Sequence, residues 1–113
     1  MRHLTILLFT LLLTSCSTTS DDAGRRWLAG DHHIHSQFSV GWEKTNPPKA
    51  IIGGDAIYPI PKNAEMARQF GLDWMVATDH GGPNHSKINL EQAYPELVAS
   101  REAVPEVIQV PGL

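Results

Sequence analysis

Three predicted strands that alternate with helical stretches constrain most strongly what this chain can fold into, and the first of them starts apolar and ends polar. They occupy residues 27–36, 72–78 and 104–111. The middle segment, LDWMVAT, is apolar without a regular alternation, which is typical of a strand that is buried on both faces of a parallel sheet. Strands that alternate with helices predict parallel crossover connections, and therefore an α/β fold.

Two helices are predicted between these strands. Pro61 suits the first turn of one helix, which continues at helical spacing towards Gly71, a common C-terminal stop. The second helix begins near Leu90 or at Pro95 and extends to about residue 103. Its charged residues are predicted to form a solvated face: Glu96, Arg101 and Glu102.

Composition excludes several classes of protein. With 42% hydrophobic and 19% charged residues, the chain is typical of a soluble globular protein of at most one domain. It has 9 Lys and Arg against 12 Asp and Glu, a formal net charge of −3 and no basic stripe, so we expect no binding to nucleic acid. A single cysteine excludes an internal disulfide.

The N-terminus has the pattern of an export signal. A short basic start precedes an apolar run at residues 4–13. At about 1.5 Å per residue this run spans roughly half of a membrane's hydrocarbon core, so it is a signal-peptide core rather than a transmembrane helix.

Residues 13–16, Leu-Thr-Ser-Cys, resemble the lipobox of bacterial lipoproteins. The resemblance implies that residues 1–15 are a lipoprotein signal peptide and that Cys16 is acylated on its sulfur. The exported protein would then be anchored to a membrane on the periplasmic side, and Ser17 favours the outer membrane. An ordinary secretory signal followed by a free cysteine is the alternative.

The rest of the chain divides into a tether and a folded part. Residues 16–26 are polar and patternless, which predicts a short tether. Residues 27–113 carry all the predicted strands and helices. Within them, residues 38–62 are rich in glycine and proline, so we predict a long irregular connection, and loops of this length are usually functional or mobile.

The end of the first predicted strand carries several histidines. Side chains two residues apart share one face of a strand, so Asp31, His33 and His35 project together, while His32 and Ile34 point the other way. Two imidazoles that are roughly 6.5 to 7 Å apart along a strand can converge on one metal ion or on two. Asp31 is placed to fix the tautomer of an imidazole. A lone His-x-His pattern is nevertheless common without a metal.

A second polar cluster, Thr-Asp-His-Gly-Gly at residues 78–82, follows the middle strand. Parallel strands end at the same edge of a sheet, so Asp79 and His80 are predicted to emerge beside His33 and His35. The alternative for Asp79 is a turn closed by the glycine pair, which would need the aspartate but not the histidine. The two clusters together predict a metal site.

Both clusters resemble motifs of the PHP family, which is named for polymerase and histidinol phosphatase. Residues 30–36, Gly-Asp-His-His-Ile-His-Ser, are similar to the first motif of the family, and residues 77–81, Ala-Thr-Asp-His-Gly, are similar to the second. The Gly-Leu-Asp at residues 71–73 resembles the lead-in to that second motif. The resemblance covers roughly residues 30–113 and is nearest to exported metallohydrolases of the family.

This resemblance implies the N-terminal part of a distorted (β/α)7 TIM-like barrel, with divalent metal ions at the carboxyl ends of its strands. It implies that His33, His35 and His80 are metal ligands. Asp79 would be a ligand, a supporting partner or a proton-transfer group, and Asp31 would orient an imidazole. The intact protein would bind two or three ions of zinc, manganese, iron or magnesium.

The chain departs from the family pattern at two places. The family often has Asp or His shortly after the first motif, whereas this chain has Ser39-Val40-Gly41, which leaves a third metal position without its expected ligand. The third family motif, a Pro-Gly-x-Glu turn, is matched only as far as residue 113. Barrels of this kind need about 200 residues or more, so we expect an incomplete barrel that is inactive by itself.

The expected activity of the intact protein is metal-dependent hydrolysis of a small phosphorylated molecule outside the cytoplasm, because adjacent divalent ions activate water and neutralise phosphoryl charge. Two alternatives stay open. One is amidohydrolase-like cleavage of an amide, carbamate or ester, and the other is a non-catalytic metal-binding lipoprotein.

Two further side chains lie near the motifs in the sequence. His85 follows the second motif, and Trp42 belongs to the long connection. Each either faces substrate or has an ordinary structural position, which for His85 is a solvated loop and for Trp42 is simple packing.

Overall fold

The computed structural model describes residues 24–112. The predicted signal peptide, Cys16 and the tether as far as residue 23 lie outside the described residues. No helix within residues 24–112 has the length and apolar character that crossing a membrane requires. The elements in chain order are β1 (Gly30–Ile34), β2 (Val40–Glu43), β3 (Lys49–Ile52), α1 (Ile60–Gln69), β4 (Trp74–Ala77), α2 (His85–Ile88), a π-helical turn (Asn89–Ala93), α3 (Tyr94–Ala103) and β5 (Ile108–Pro111).

A parallel sheet forms the centre of the fold. In the described part of the chain, β1, β4 and β5 form a three-stranded parallel sheet with β4 in the middle. This arrangement confirms the predicted α/β class with three parallel strands and helices between them. These strands do not by themselves show a barrel, so the barrel stays a prediction.

The first strand is shorter than predicted. It begins at Gly30, and Trp27, which the sequence places in the strand, is fully exposed. The indole ring of Trp74 lies against the backbone of Gly30, where an added Cβ atom would be only 2.0 Å from Trp74 Cε2. The sheet therefore uses a glycine at the point where β1 first meets β4, and the apolar residues before it do not enter the core.

The prediction of an irregular connection over residues 38–62 is wrong for the middle of that range, where β2 and β3 form an antiparallel hairpin. Its glycines suggest a loop in the sequence, but here they allow close packing: a Cβ atom on Gly41 would lie 2.7 Å from the carbonyl carbon of Gly54. A 3.1 Å hydrogen bond from the N–H of Val40 to the carbonyl of His80 joins the hairpin to the end of β4. The hairpin thus stands beside the predicted metal site.

Helices α1 and α3 pack against each other and against the parallel sheet. Helix α1 begins at Ile60, has Pro61 in its first turn and is followed by Gly71 at φ 77°, as predicted. The second helical segment begins earlier than predicted, at His85, because α2 and the π-helical turn precede α3. The buried core includes Ile60, Ala64, Met75, Leu97, Val104 and Val107.

Glu96 on α3 is predicted to be solvated, but its carboxylate joins two other segments. Its Oε1 accepts a 2.8 Å hydrogen bond from the N–H of Ile60, and its Oε2 accepts a 2.9 Å hydrogen bond from Gln37 Nε2. The N-cap residue of α1 makes no side-chain capping bond. Glu96 therefore satisfies an N–H group that the helix N-terminus would otherwise leave free. Arg101 is also engaged, because its Nε donates to the carbonyl of Gln109.

Replacing Glu96 should loosen the start of α1. A hydrogen bond to a charged group is worth about 1.5–3 kcal/mol, so Glu96→Ala is expected to raise the hydrogen-exchange rate of the Ile60 amide by roughly tenfold or more. Exchange measured by NMR or mass spectrometry checks this. The exposed Glu102 on the same helix supplies the control, and Glu102→Ala should leave the Ile60 amide unchanged. Equal exchange rates in both variants would refute the capping role.

Candidate metal centre

Three histidines converge at the carboxyl ends of β1 and β4. His33 and His35 come from the end of β1, and His80 follows β4 by three residues. The Nε2 atoms of His33 and His35 are 2.9 Å apart, and the rings of His35 and His80 have centroids 4.3 Å apart. One nitrogen from each of the three residues lies within 4.8 Å of the others. These residues are called the histidine triad, and their proximity confirms the prediction that the two strand ends meet.

The local shape of β1 brings two of these rings together. The pairing of β1 with β4 shifts between Asp31 and Ile34, which pair with Met75 and Ala77, so β1 has one extra residue over this interval. Such a bulge bends a strand and redirects its side chains. Ile34 packs against the hydrophobic core, while His32 is exposed. The alternation therefore holds for Ile34, and the bend accompanies a closer approach of the His33 and His35 rings than a straight strand would allow.

Asp55, from the segment after β3, contacts two rings of the triad. Its Oδ2 is in close contact with Nδ1 of His35 and lies 3.5 Å from Nδ1 of His80. The hydroxyl of Ser39 donates a 2.9 Å hydrogen bond to the same oxygen. Sequence reasoning missed Asp55, because it lies 19 residues beyond the end of the first motif and has no periodic relation to it.

The surroundings of Asp55 favour its ionised form. The hydrogen bond from Ser39 lowers the pKa of Asp55 most, burial opposes this effect, and the neighbouring His35 and His80 lower the pKa further. An ionised Asp55 accepts a hydrogen bond from Nδ1–H of His35, which places the lone pair of that ring on Nε2, the atom that faces Nε2 of His33. Ser39 is fully buried and its Oγ also accepts a 2.9 Å hydrogen bond from the N–H of His80, so one hydroxyl positions both partners.

Asp31 does not occupy the position that the sequence predicts for it. Its Oδ1 accepts a 2.9 Å hydrogen bond from the backbone N–H of His33. This short local bond spans the bulge and engages the backbone rather than an imidazole. Within residues 24–112, Asp55 is the carboxylate in contact with the rings of His35 and His80, and it takes the orienting position expected for Asp31.

Asp79 joins the two strand ends. Its Oδ1 accepts a hydrogen bond from the N–H of Ser36, and its Oδ2 accepts a 2.7 Å hydrogen bond from the Ser36 hydroxyl. Ser36 is buried and directly follows His35, while His80 directly follows Asp79. This two-point contact therefore fixes the distance between two members of the triad, and it accounts for the predicted aspartate without a turn closed by glycine.

The two predicted substrate-facing residues have different surroundings. His85 is half-buried at the start of α2, and its Nε2 lies 2.9 Å from Nδ2 of Asn89. It lines a cavity beside the ends of β4 and β5. Trp42 is 53% exposed on β2 and is not part of the lining of that cavity.

Comparisons of the chain with protein-family models, with curated proteins and with solved structures found no match. The resemblance to the PHP family therefore depends on the two motifs and stays a prediction. The geometry of the triad stands independently of that resemblance.

The triad should bind zinc, and the loss of one of its histidines should weaken that binding strongly. We expect His33→Ala to abolish tight zinc uptake, because one of three nitrogens is lost. The adjacent, exposed His32 supplies the control, and His32→Ala should retain zinc affinity. Isothermal titration calorimetry on the purified protein measures both, and equal affinities would contradict the assignment of His33.

Asp31 and Asp55 allow the orienting role predicted from the sequence to be tested against the one that the structure indicates. Partners that orient a ligating histidine are typically worth 10–100-fold in metal affinity. We therefore expect Asp55→Asn to weaken zinc binding by about tenfold or more, whereas Asp31→Asn leaves it nearly unchanged. If the same calorimetry showed the larger loss of zinc affinity for Asp31→Asn, it would support the orienting role that the sequence predicts for Asp31.

Proposed function

We propose that this protein is a metal-dependent hydrolase that acts on phosphoesters. The observation that carries the proposal is the convergence of His33, His35 and His80 above Asp55, at the carboxyl edge of a parallel sheet. Ligands and reacting groups in open parallel sheets are generally found at this edge. The rings of His33 and His80 are exposed, so a substrate can reach the triad.

The donor set favours particular ions. Imidazole nitrogens suit zinc, iron and manganese, whereas magnesium prefers oxygen ligands and retains its water. Of the predicted metals we therefore propose zinc, manganese or iron at the triad. A second or third ion would need ligands in addition to these three nitrogens.

A divalent ion held here supplies two effects, a lower pKa for water and neutralisation of charge on phosphoryl oxygens. The protein's own residues would position it: His33, His35 and His80 would hold the ion, and Asp55 orients the rings of His35 and His80. In the hydrolysis, the oxygen of water bonds to phosphorus, the bond from phosphorus to the leaving oxygen breaks, and that oxygen takes up a proton. The net reaction consumes one water and yields phosphate and an alcohol.

The wider setting of the proposal follows from the sequence. We propose that residues 27–113 form the N-terminal part of a PHP-type barrel, with more of the site supplied by further chain. The lipobox-like residues at 13–16 support an exported lipoprotein, anchored through Cys16 and facing the periplasm. The substrate would then be a small phosphorylated molecule outside the cytoplasm.

A second candidate is a metal-binding protein without turnover. Both oxygens of Asp79 accept hydrogen bonds from Ser36, and Asp55 is engaged by Ser39 and by the triad. Both carboxylates beside the triad are thus already engaged in contacts within the protein. This candidate predicts tight zinc uptake with no hydrolysis.

The test uses the natural gene product that contains this sequence, supplied with zinc or manganese. We expect hydrolysis of phosphomonoesters that is lost on chelation and restored by added metal. We also expect His33→Ala to reduce kcat/KM by about 100-fold or more, and His32→Ala to retain full activity. Turnover of carbamates in place of phosphoesters would support the amidohydrolase alternative, and metal uptake without any turnover would support the second candidate. Phosphoester hydrolysis that survives chelation would contradict the proposal.

A further inference from the structure

A cavity of about 560 Å³ lies between the ends of β4 and β5 and the helical segment that begins at His85. This volume falls within the range of about 300–1,000 Å³ that is usual for sites that bind small organic molecules. Most of its wall is apolar and is formed by Ile60, Ala77, Leu90, Ala93, Tyr94, Leu97 and Pro111.

One part of the wall is polar and is connected to the histidine triad. Asp79 lines the cavity and is followed directly by His80 of the triad. His85 lines it as well, and its ring packs against Gly81, where an added Cβ atom would be 3.3 Å from His85 Cδ2. The residues on both sides of His80 thus border the cavity or contact a residue that does, which places the cavity next to the triad.

The charges of the lining decide which part of a substrate fits. No lysine or arginine is found among the described residues that line the cavity. Its charged member is Asp79, whose oxygens already accept hydrogen bonds from Ser36. A phosphate group would meet a carboxylate and no cation there, whereas an uncharged apolar group would gain the free energy of leaving water.

The π-helical turn gives this wall its shape. Such turns are rare in proteins as a whole, and those that do occur are often located at functional sites. The turn begins at Asn89, whose Nδ2 lies 2.9 Å from Nε2 of His85, and this contact holds the His85 ring in the lining. Leu90 and Ala93, in the same turn, supply apolar surface to the cavity.

We propose that this cavity binds the uncharged aryl or alkyl group of a phosphomonoester while the phosphate lies at the histidine triad. This inference depends on the proposed function and narrows it to esters of apolar alcohols or phenols. Nucleotides and sugar phosphates, with polar or charged groups beyond the phosphate, fit the apolar wall poorly.

The test compares two phosphonates that cannot be hydrolysed, naphthylmethylphosphonate and methylphosphonate, on the zinc-loaded protein by calorimetry. We expect the naphthyl compound to bind about tenfold tighter or more, because its ring system leaves water. Ala93→Leu fills the cavity and should abolish that preference without changing the affinity for methylphosphonate. Ala99→Leu, at an exposed position on α3, is the matched control and should retain the preference.

Leu90→Asn provides a second variant, since Leu90 is 72% exposed at the cavity and its replacement leaves the core intact. This variant should reduce the preference for the naphthyl compound severalfold. It therefore tests the cavity independently if circular dichroism shows that Ala93→Leu does not fold. Equal affinity for the two phosphonates, or a preference that survives both variants, would overturn the cavity assignment and leave phosphoester hydrolysis standing. A preference that both variants reduce supports the cavity assignment, and a lack of turnover alongside it would overturn only the proposed function.

Discussion

The two hydrogen bonds between Asp79 and Ser36 are the constraint on which the site depends. They join the end of β1 to the end of β4, so that His35 and His80, each one residue away, come within ligand distance. Ser36 is buried and Asp79 is partly buried, which shields the contact from competition by water. The pairing of β1 with β4 along the sheet fixes the direction of β1. The contact between Asp79 and Ser36 fixes where the end of β1 lies relative to the end of β4.

The residues beside the hairpin add a carboxylate and a hydroxyl group to the imidazoles at the edge of the parallel sheet. The strand ends of the sheet supply three imidazoles, and the residues that flank the hairpin supply Asp55, which contacts the rings of His35 and His80, and Ser39, which donates to Asp55. Because Ser39 donates to Asp55 and accepts from the backbone of His80, the hairpin and the end of β4 share one polar network. The histidine triad and the cavity at His85 share the short segment at residues 79–81, since His80 belongs to the triad and Asp79 lines the cavity.

The parts predicted from the sequence are those governed by local rules. Buried strands have a recognisable composition and parallel strands end at one edge, so the sequence predicts that His33 and His35 meet His80. Gly71 likewise marks the end of α1. Asp55 could not be predicted in the same way, because its position depends on the close approach of Gly41 and Gly54 in a hairpin without a clear strand pattern. The position predicted for Asp31 assumes the alternation of a regular strand, whereas β1 is bulged at that point.

We propose that His33, His35 and His80 bind a single divalent ion together. Zinc K-edge X-ray absorption on the zinc-loaded protein measures this directly, since it reports the type and distance of the atoms around the metal. The account predicts three imidazole nitrogens at about 2.0–2.1 Å, completed by oxygen. A shell of oxygen atoms without imidazole scattering would contradict it.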